Sequence, residues 1–536
     1  MIMKQQYSKL IFLSIFISNI FVFSQMPIEL NHPSSIILKR LSAQGKISLN
    51  YFGNNSISSI DADKILKKNE NKIYIKSLLN FRIPYKKTSL DSLKQKSSIP
   101  NFYSKIFKSN VDIENKYFYQ SISDTTLIWI RLREVLLSQS QKNQRNFQYL
   151  DEISFNGIFN NQLYIRSTFS MFRHNGDQIS ILNNYRNEWK KYFPEIDMTF
   201  WYLNNTSLYL KNPLVNVEIA NNPFSWGWSS GNSPILSAKA TPFNHLRLYK
   251  SLGKFNFEYF HGSLLNKTID EIHNENIKKE KFLSGHRVKY EINSNLHASI
   301  SELVIYGNRS PELGYMNPIS FFWAQEHNLG DLDNILIAAD LGYRILPGCV
   351  IYKTLLFDEL SWKDIFKDWW GNKFSYQFGI FLSSKNISLP DLRIEYTATR
   401  PWTYTHPDFS YSHRHQSLGS SDGPASKALL IESFYLPSSK IIFYSAFEHV
   451  QKGIGKGSGL FDNYDERNRD NDWNTEFLLK DKTHSYKYKF DLQYLLSINI
   501  NFSTTIIINS DEYISNNSEK LKKSGTTFIV GLDFNW

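Results

Sequence analysis

The chain has 536 residues, a formal net charge of +11 and 41% hydrophobic residues, and aromatic residues make up 15%. Its single cysteine, Cys349, excludes an internal disulfide framework. Beyond the N-terminal region, no stretch approaches the roughly 20 apolar residues of a membrane-spanning helix, which excludes a helical membrane protein. Dense Tyr and Trp residues instead suit a barrel with aromatic rings at both membrane interfaces.

Residues 1–24 predict a secretory signal peptide. Lys4 and Lys9 precede the apolar run LIFLSIFISNIFVF, and small or tolerated residues follow at a cleavage point after Ser24. This run is short for a spanning helix, so we expect removal rather than anchoring. Cys349 lies far from the cleavage point, which excludes a lipoprotein anchor.

Residues 25–140 predict a small helical segment in the periplasm. The stretch NHPSSIILKRLSAQGK at 31–46 has one apolar face and Gly45 as a stop. A capping-box spacing, SSID, begins a second candidate helix at 58–61. The stretch 125–137 is a third candidate, for which a strand stays open. The apolar face of the first candidate comprises Ile37, Leu38 and Leu41.

Residues 141–536 predict a transmembrane antiparallel β-barrel, because apolar and polar side chains alternate in many short segments. At about 22 to 25 residues per strand and connection, they would supply on the order of 16 to 18 strands. Short turns alternate with long polar connections such as 453–474. The clearest alternation runs over 486–502, with a tight turn near 497–501. Further strands are predicted at 374–382, 392–398 and 441–447, with a hairpin over 153–172 around Asn160-Asn161.

The tail FIVGLDFNW, 528–536, alternates in the same way and ends on Trp536. A terminal strand that closes on an aromatic residue is how outer-membrane barrels present themselves to the barrel assembly machinery. We therefore expect this strand to close the barrel, with lipid around it and the assembly machinery as a partner.

Three blocks of sequence, in order, resemble the capsule assembly Wzi family of outer-membrane proteins. They are NNPFSWGWSSGNSPILSAKATPFNHLRL at 221–248, LGYMNPISFFWAQEHNLGDLDNILIAADLGYRI at 313–345 and LRIEYTATRPWTYTHPDFSYSHRHQSLGSSDGP at 392–424. The stretch at 31–46 is similar to the N-terminal periplasmic helix of that family. The first block departs from the family's Trp-Gly-Pro-Gly-like turn, since Trp228 and Ser229 follow Trp226 and Gly227.

This resemblance implies an 18-stranded barrel with a periplasmic helical bundle. It also implies a lectin in the outer membrane of a Gram-negative bacterium that retains capsular polysaccharide or another exopolysaccharide. Relatives in gliding bacteria are linked to surface motility. The net charge of +11 is compatible with an acidic polysaccharide or with lipid phosphates, and equally with lysines that only solvate loops. A secreted barrel has no ordinary access to nucleic acid, so we expect no nucleic-acid partner.

Seven residues are candidates for polysaccharide binding, each with a structural alternative. The aromatic faces could stack on sugar rings, or could instead pack inside the barrel. Arg309 lies in polar loop sequence beside Glu326 and His327, a pair that could act as acid and base or join an interior network. Four of the candidates stand at the even positions 400, 402, 404 and 406. They would share one face of an extended segment, or they would plug the lumen. The candidates are Trp226, Trp228, Arg309, Arg400, Trp402, Tyr404 and His406.

The sequence predicts no metal, cofactor or catalytic site. His413 and His415 form an H-x-H pair, but no third ligand follows at a diagnostic distance. Zinc-protease and phosphate-loop motifs are absent from the sequence. A porin or transport channel is the main alternative to a binding protein, and a gliding or adhesin accessory role stays open beside them.

Overall fold

The computed structural model describes residues 33–53, 118–176, 191–265 and 280–535. Within these ranges it leaves out 124, 161, 360, 362, 365, 366, 387, 388, 439, 497, 498 and 515–519. The predicted signal peptide, the SSID stretch and Trp536 lie outside the described residues. None of the helices in the described ranges is long and apolar enough to cross a membrane.

The described residues contain four α-helices and two short 3₁₀ helices. The α-helices are α1 Pro33–Ala43, α2 Asn50–Gly53, α3 Leu313–Met316 and α4 Phe322–Leu329. The 3₁₀ helices are Tyr464–Glu466 and Arg469–Asn471.

Strands make up most of the described chain. They are β1 Tyr119–Ile122, β2 Thr126–Gln141, β3 Gln144–Phe159, β4 Leu163–Gly176, β5 Lys191–Phe193, β6 Met198–Leu210, β7 Asn216–Asn221, β8 Asn244–Leu252, β9 Phe255–Leu264, β10 Lys281–Asn293, β11 Leu296–Gly307, β12 Asn334–Leu346, β13 Cys349–Glu359, β14 Lys373–Leu382, β15 Asp391–Thr399, β16 Ser412–His413, β17 Gln416–Ser417, β18 Ser426–Ser438, β19 Ile441–Gly453, β20 Lys482–Leu495, β21 Ile500–Ile514 and β22 Lys520–Asn535.

The wall is a closed antiparallel barrel of 18 strands. Twenty strands form one sheet, and β1 and β5 are short side strands of it, so 18 remain in the wall. Each wall strand pairs with its neighbour in the chain, and β22 pairs with β2, from Arg133 opposite Asn535 to Gln141 opposite Thr527. The predicted barrel is confirmed, and the tail strand closes it through this seam.

Several strand predictions from alternation agree with the structure. β20 ends at Leu495 and β21 begins at Ile500, around the predicted turn. The hairpin over 153–172 is β3 and β4, which pair from Asn146 opposite Gly176 to Phe159 opposite Leu163. The helix candidate at 125–137 is wrong, because this stretch belongs to wall strand β2, held by hydrogen bonds to β3 and β22.

The two ends of the barrel differ in their connections. At one end, two residues join β8 to β9, β10 to β11 and β12 to β13. At the other end lie the long connections 308–333, 400–425 and 454–481. We call these the short-turn end and the long-loop end. This asymmetry agrees with the sequence prediction of short turns alternating with long connections.

Helices α1 and α2 close the short-turn end. The predicted helix at 31–46 is present, its apolar face is buried, and Gly45 follows it at φ +74°. Arg40 forms an ion pair of 2.9 Å with Asp391 and donates to the carbonyl oxygens of Ser384 at 2.8 Å and Asn386 at 2.7 Å. The segment is therefore anchored to the barrel's own turns.

A packed core occupies the barrel interior along strands β9 to β13. The connections 222–243 and 400–425 fold inward and bind each other: Tyr404 Oη donates to Pro234 O at 2.9 Å, and Ser237 N donates to Leu418 O at 2.7 Å. Their buried side chains pack on inward-facing wall residues. The core comprises Phe224, Trp226, Ile235, Leu236, Phe243, Phe260, Leu264, Leu283, Leu303, Ile305, Leu336, Ala338, Leu356, Tyr404, Phe409, Tyr411 and Leu418.

Candidate functional site

Four aromatic side chains meet at the long-loop end and form what we call the tryptophan cluster: Trp369, Trp370, Tyr464 and Trp473. The ring centroids of Trp369 lie 5.9 Å from Trp370 and 6.1 Å from Trp473, and Trp370 lies 5.6 Å from Tyr464. Trp473 is 56% exposed, so its indole is accessible from solvent. An exposed indole face is suited to the C–H face of a sugar ring.

Cationic side chains surround these rings. Arg467 lies 3.6 Å above the centroid of Trp370, and Lys373 Nζ lies 3.8 Å from that of Tyr464. Lys367 Nζ lies 5.5 Å from the centroid of Trp473. Each cation is also paired with a carboxylate: Arg467 with Asp472 at 2.8 Å, Lys373 with Glu359 at 3.0 Å and Lys367 with Asp364 at 2.9 Å. The cations therefore hold the rings in place, and the rings themselves are the part of this surface that suits a sugar.

The loops that carry the cluster are fixed to each other. Trp370 N donates to Asp472 O at 2.8 Å, and Thr475 N donates to Asp368 O at 2.9 Å. Arg467 forms two hydrogen bonds with the carboxylate of Asp472, at 2.8 and 3.0 Å. The two backbone bonds join the connection 360–372 to the connection 454–481, and the Arg467–Asp472 pair braces the second connection internally. The cluster is therefore organised before any ligand binds.

Arg400 lies at the base of the cluster. Its side chain is buried, and Nη2 donates to the carbonyl oxygen of Trp369 at 3.2 Å and to that of Thr475 at 3.5 Å. It therefore holds the two cluster loops in position rather than presenting its guanidinium at the surface.

His406 lies beside the cluster, with its ring centroid 6.2 Å from that of Tyr464. Burial, and next the charge of Lys373, lower the pKa of His406 to about 4. The ring is therefore neutral near pH 7. Its Nδ1 accepts hydrogen bonds from Asp408 N at 3.2 Å and Phe409 N at 3.1 Å, which fits the neutral form.

The predicted extended segment from Arg400 to His406 is wrong. Residues 401–404 form consecutive turns, and Trp402 and Tyr404 have φ of +66° and +73°. Tyr404 is fully buried. Its backbone N–H donates to the carboxylate of Asp358 at 2.6 Å, and its hydroxyl lies in the core. Trp402 is 6% exposed. Tyr404 packs in the core of the lumen, whereas Trp402 packs against Gly457 of the connection 454–481.

Trp226 and Trp228 also lie in the barrel interior, each 1% exposed. The indole Nε1 of Trp226 donates to Glu258 at 2.8 Å, and that of Trp228 donates to Asp340 at 2.7 Å. Trp228 stacks on Phe52 of α2 at 6.2 Å. Their ring faces are thus covered by protein, which corresponds to the interior-packing alternative.

Arg309 lies on another loop of the same end. It forms a bidentate pair with Asp333, at 2.9 and 2.6 Å, and stacks on Tyr306 at 5.2 Å. Glu326 and His327, predicted in loop sequence, lie in helix α4 of the same connection.

The H-x-H pair is split by a tight turn. His413 ends β16 and Gln416 begins β17, and Arg414 and His415 between them have φ of +47° and +61°. His413 is buried, and its Nδ1 accepts a hydrogen bond from Leu265 N at 3.0 Å. It therefore acts as a structural residue in the lumen.

Sequence reasoning identified Arg400 and His406 but missed the aromatic members of the cluster. The signal was present: the dipeptide Trp369-Trp370 stands in the polar stretch KDWWGNK, and Trp473 stands in NDWN. Large aromatic residues grouped in long polar connections indicate a contact surface.

Comparisons with known proteins give similarity at the level of fold. No protein-family model matches the chain, and no curated protein matches it. The solved structure of Wzi from Escherichia coli, an outer-membrane protein involved in group 1 capsule assembly and described as a carbohydrate-binding β-barrel, is 11% identical. The match covers 95% of this chain and 99% of that one, with a TM-score of 0.56.

Two other barrels align over a smaller share of the chain. OprD of Pseudomonas aeruginosa is 10% identical over 76% of this chain and 95% of its own, with a TM-score of 0.42. OccAB2 of Acinetobacter baumannii is 10% identical over 77% of this chain and 98% of its own, with a TM-score of 0.43.

Proposed function

We propose that the protein is an outer-membrane barrel of the Wzi family that binds a capsular polysaccharide or another exopolysaccharide and assists its attachment at the cell surface, without catalysis. The observation that carries the proposal is the tryptophan cluster, an organised group of aromatic rings and cations at one end of a filled barrel. The carbohydrate-binding description of the Wzi structure supports the same assignment by analogy of fold.

The outer surface of the wall supports a place in a membrane. Along β12, Ile337, Leu341 and Tyr343 face outward and are exposed, whereas Asp340 faces inward and is buried. Large apolar side chains repeat this pattern around the barrel, which would be costly in water and suits contact with lipid. Examples on other strands are Phe155, Phe169, Leu208, Ile219, Val288, Ile300, Phe378, Tyr488, Phe528 and Val530.

The difference between the two barrel ends indicates how the barrel is oriented in the outer membrane. Outer-membrane barrels have short turns on the periplasmic side and longer loops outside. The short-turn end, with α1 and α2, would then face the periplasm, which is compatible with the predicted signal peptide at 1–24. The long-loop end, with the tryptophan cluster, would face the medium and meet polymer there.

The core inside the barrel favours binding over passive conduction. A porin needs a water-filled lumen lined by polar side chains. Here the inward connections 222–243 and 400–425 form a core with the wall, and α1 and α2 close the short-turn end. In planar bilayers we expect no stable conductance from the wild-type protein. Steady open-channel currents would instead support the porin alternative.

The proposal is tested with a strain that lacks the protein, complemented by wild type, Trp473→Ala or Trp323→Ala. Trp323 is a matched control, because it is also 56% exposed but lies in α4, outside the cluster. Cell-bound and released polysaccharide are quantified in each strain. We expect polymer to move into the medium without the protein and with Trp473→Ala, and to stay cell-bound with Trp323→Ala.

Binding is then measured on the purified variants with polymer isolated from the parent strain. Loss of one stacking ring should weaken binding about fivefold to tenfold. If deletion leaves both polymer fractions unchanged, attachment is the wrong function and a role in motility or adhesion becomes the better account. If only Trp473→Ala is without effect, polymer attachment stands but the tryptophan cluster is not its site.

A further inference from the structure

We propose that Glu326, His327 and Asp331 form a binding site for a divalent transition-metal ion, best suited to Zn²⁺, at the C-terminal end of α4. One ligand atom from each residue lies within 4.8 Å of the other two. The inference does not depend on polysaccharide binding.

The end of α4 brings the three side chains together. Gly330 has φ of +101°, and its N–H donates to His327 O, while Asp331 N donates to Glu326 O at 3.1 Å. This left-handed turn folds the chain back over the last helical turn. Asp331 therefore returns to the side of the helix that carries Glu326 and His327.

Glu326 is the strongest sign that a cation belongs here. It is 6% exposed, and its carboxyl group has no hydrogen-bond or ion-pair partner among the described residues. Its oxygens are not among the fully enclosed polar atoms, so an ion can reach them from solvent. A largely buried carboxylate without a positively charged partner is suited to bind a cation.

The neighbouring carboxylates each have partners of their own. Asp333 pairs with Arg309 at 2.6 Å and accepts from Tyr315 Oη at 2.8 Å. Glu302 accepts from His286 at 3.0 Å and from two backbone N–H groups at the start of α4. Glu359 pairs with Lys373 at 3.0 Å. Glu326 differs from all three, so the site lacks one positive charge.

His327 is already oriented as a ligand. Its Nδ1 lies 2.8 Å from Trp323 O, so Nδ1 carries the proton and Nε2 has a free lone pair. An imidazole fixed through its other nitrogen is the usual arrangement at metal sites. One imidazole and two carboxylates suit Zn²⁺ better than Ca²⁺, which prefers six to eight oxygen ligands. Three protein ligands leave a fourth position open toward solvent.

The test uses the full chain in detergent, stripped of metal and titrated with Zn²⁺ by calorimetry. We expect one ion per chain, and at least roughly tenfold weaker binding in Glu326→Gln, His327→Gln and Asp331→Asn. His415→Gln is the control, because His415 is an exposed loop histidine outside the cluster. The proposal is wrong if the three variants bind Zn²⁺ as tightly as wild type, or if wild type binds none.

A second measurement separates lost binding from a folding defect. Without metal, Glu326→Gln should be at least as heat-stable as wild type, because glutamine has the same size and the change removes no hydrogen bond among the described residues. With Zn²⁺, wild type and His415→Gln should gain thermal stability while Glu326→Gln does not. Equal gains in all three proteins would place the ion elsewhere and overturn the assignment.

Discussion

Arg40 holds α1 in the short-turn end, and Arg40→Ala should release it. Arg40 and its partner Asp391 are 5% and 2% exposed, so truncation leaves a buried carboxylate unpaired. Breaking such a pair costs about 3 to 5 kcal/mol, and the carbonyl oxygens of Ser384 and Asn386 lose a donor as well. A loss of that size corresponds to roughly a hundredfold or more in the local docking equilibrium.

Hydrogen exchange of the backbone amides at 33–53, in the full-length protein in detergent, measures this docking equilibrium. Arg40→Ala should speed exchange roughly a hundredfold within α1 while leaving the wall strands protected. The double variant Arg40→Ala/Asp391→Ala should recover part of the loss, because the unpaired charge is gone. Lys46→Ala, an exposed change in the same segment, serves as the control. Exchange within about threefold of wild type in Arg40→Ala would refute this reasoning.

Two further predictions concern the lumen and the cluster. Trp228→Phe removes the indole donor to Asp340 and should lower the free energy of unfolding by about 2 to 3 kcal/mol in urea titrations, whereas the exposed change Trp473→Phe should leave it unchanged. The folded pKa of His406, near 4, lies below the ordinary value of 6.5, so its stability contribution is full above pH 6.5 and is lost as pH falls toward 4. His406→Gln should flatten the stability profile in that window, and an unchanged profile would contradict this.

The wall was predictable from sequence because its signal is local. Alternation along 486–502 placed two strands and their turn within a few residues of β20 and β21. The failure at 125–137 has a physical cause, since its apolar spacing fits a helix and a strand alike. What selects the strand is pairing with β3 and with β22 at the far end of the chain.

The lumen was not predictable, because its determinants are distant. An exposed tryptophan and a buried one look alike in sequence. Trp228 is buried through a hydrogen bond to Asp340, 112 positions away, and through Phe52 of α2. The even-numbered residues at 400–406 alternate as in a strand, yet positive φ at Trp402 and Tyr404 turns the chain. The hydrogen bond between Tyr404 and Pro234 fixes that turn across 170 positions.

The filled interior also constrains the order in which the molecule assembles. The seam between β2 and β22 joins the first and last wall strands, so it forms only after every other wall strand exists. The core that it encloses depends on contacts between connections 222–243 and 400–425, far apart in the chain. Once the barrel is closed and α1 covers one end, the connections that carry the core side chains would have little access to the interior. We therefore expect lumen packing to precede or accompany closure of the seam, and we expect its long-range contacts to form slowly.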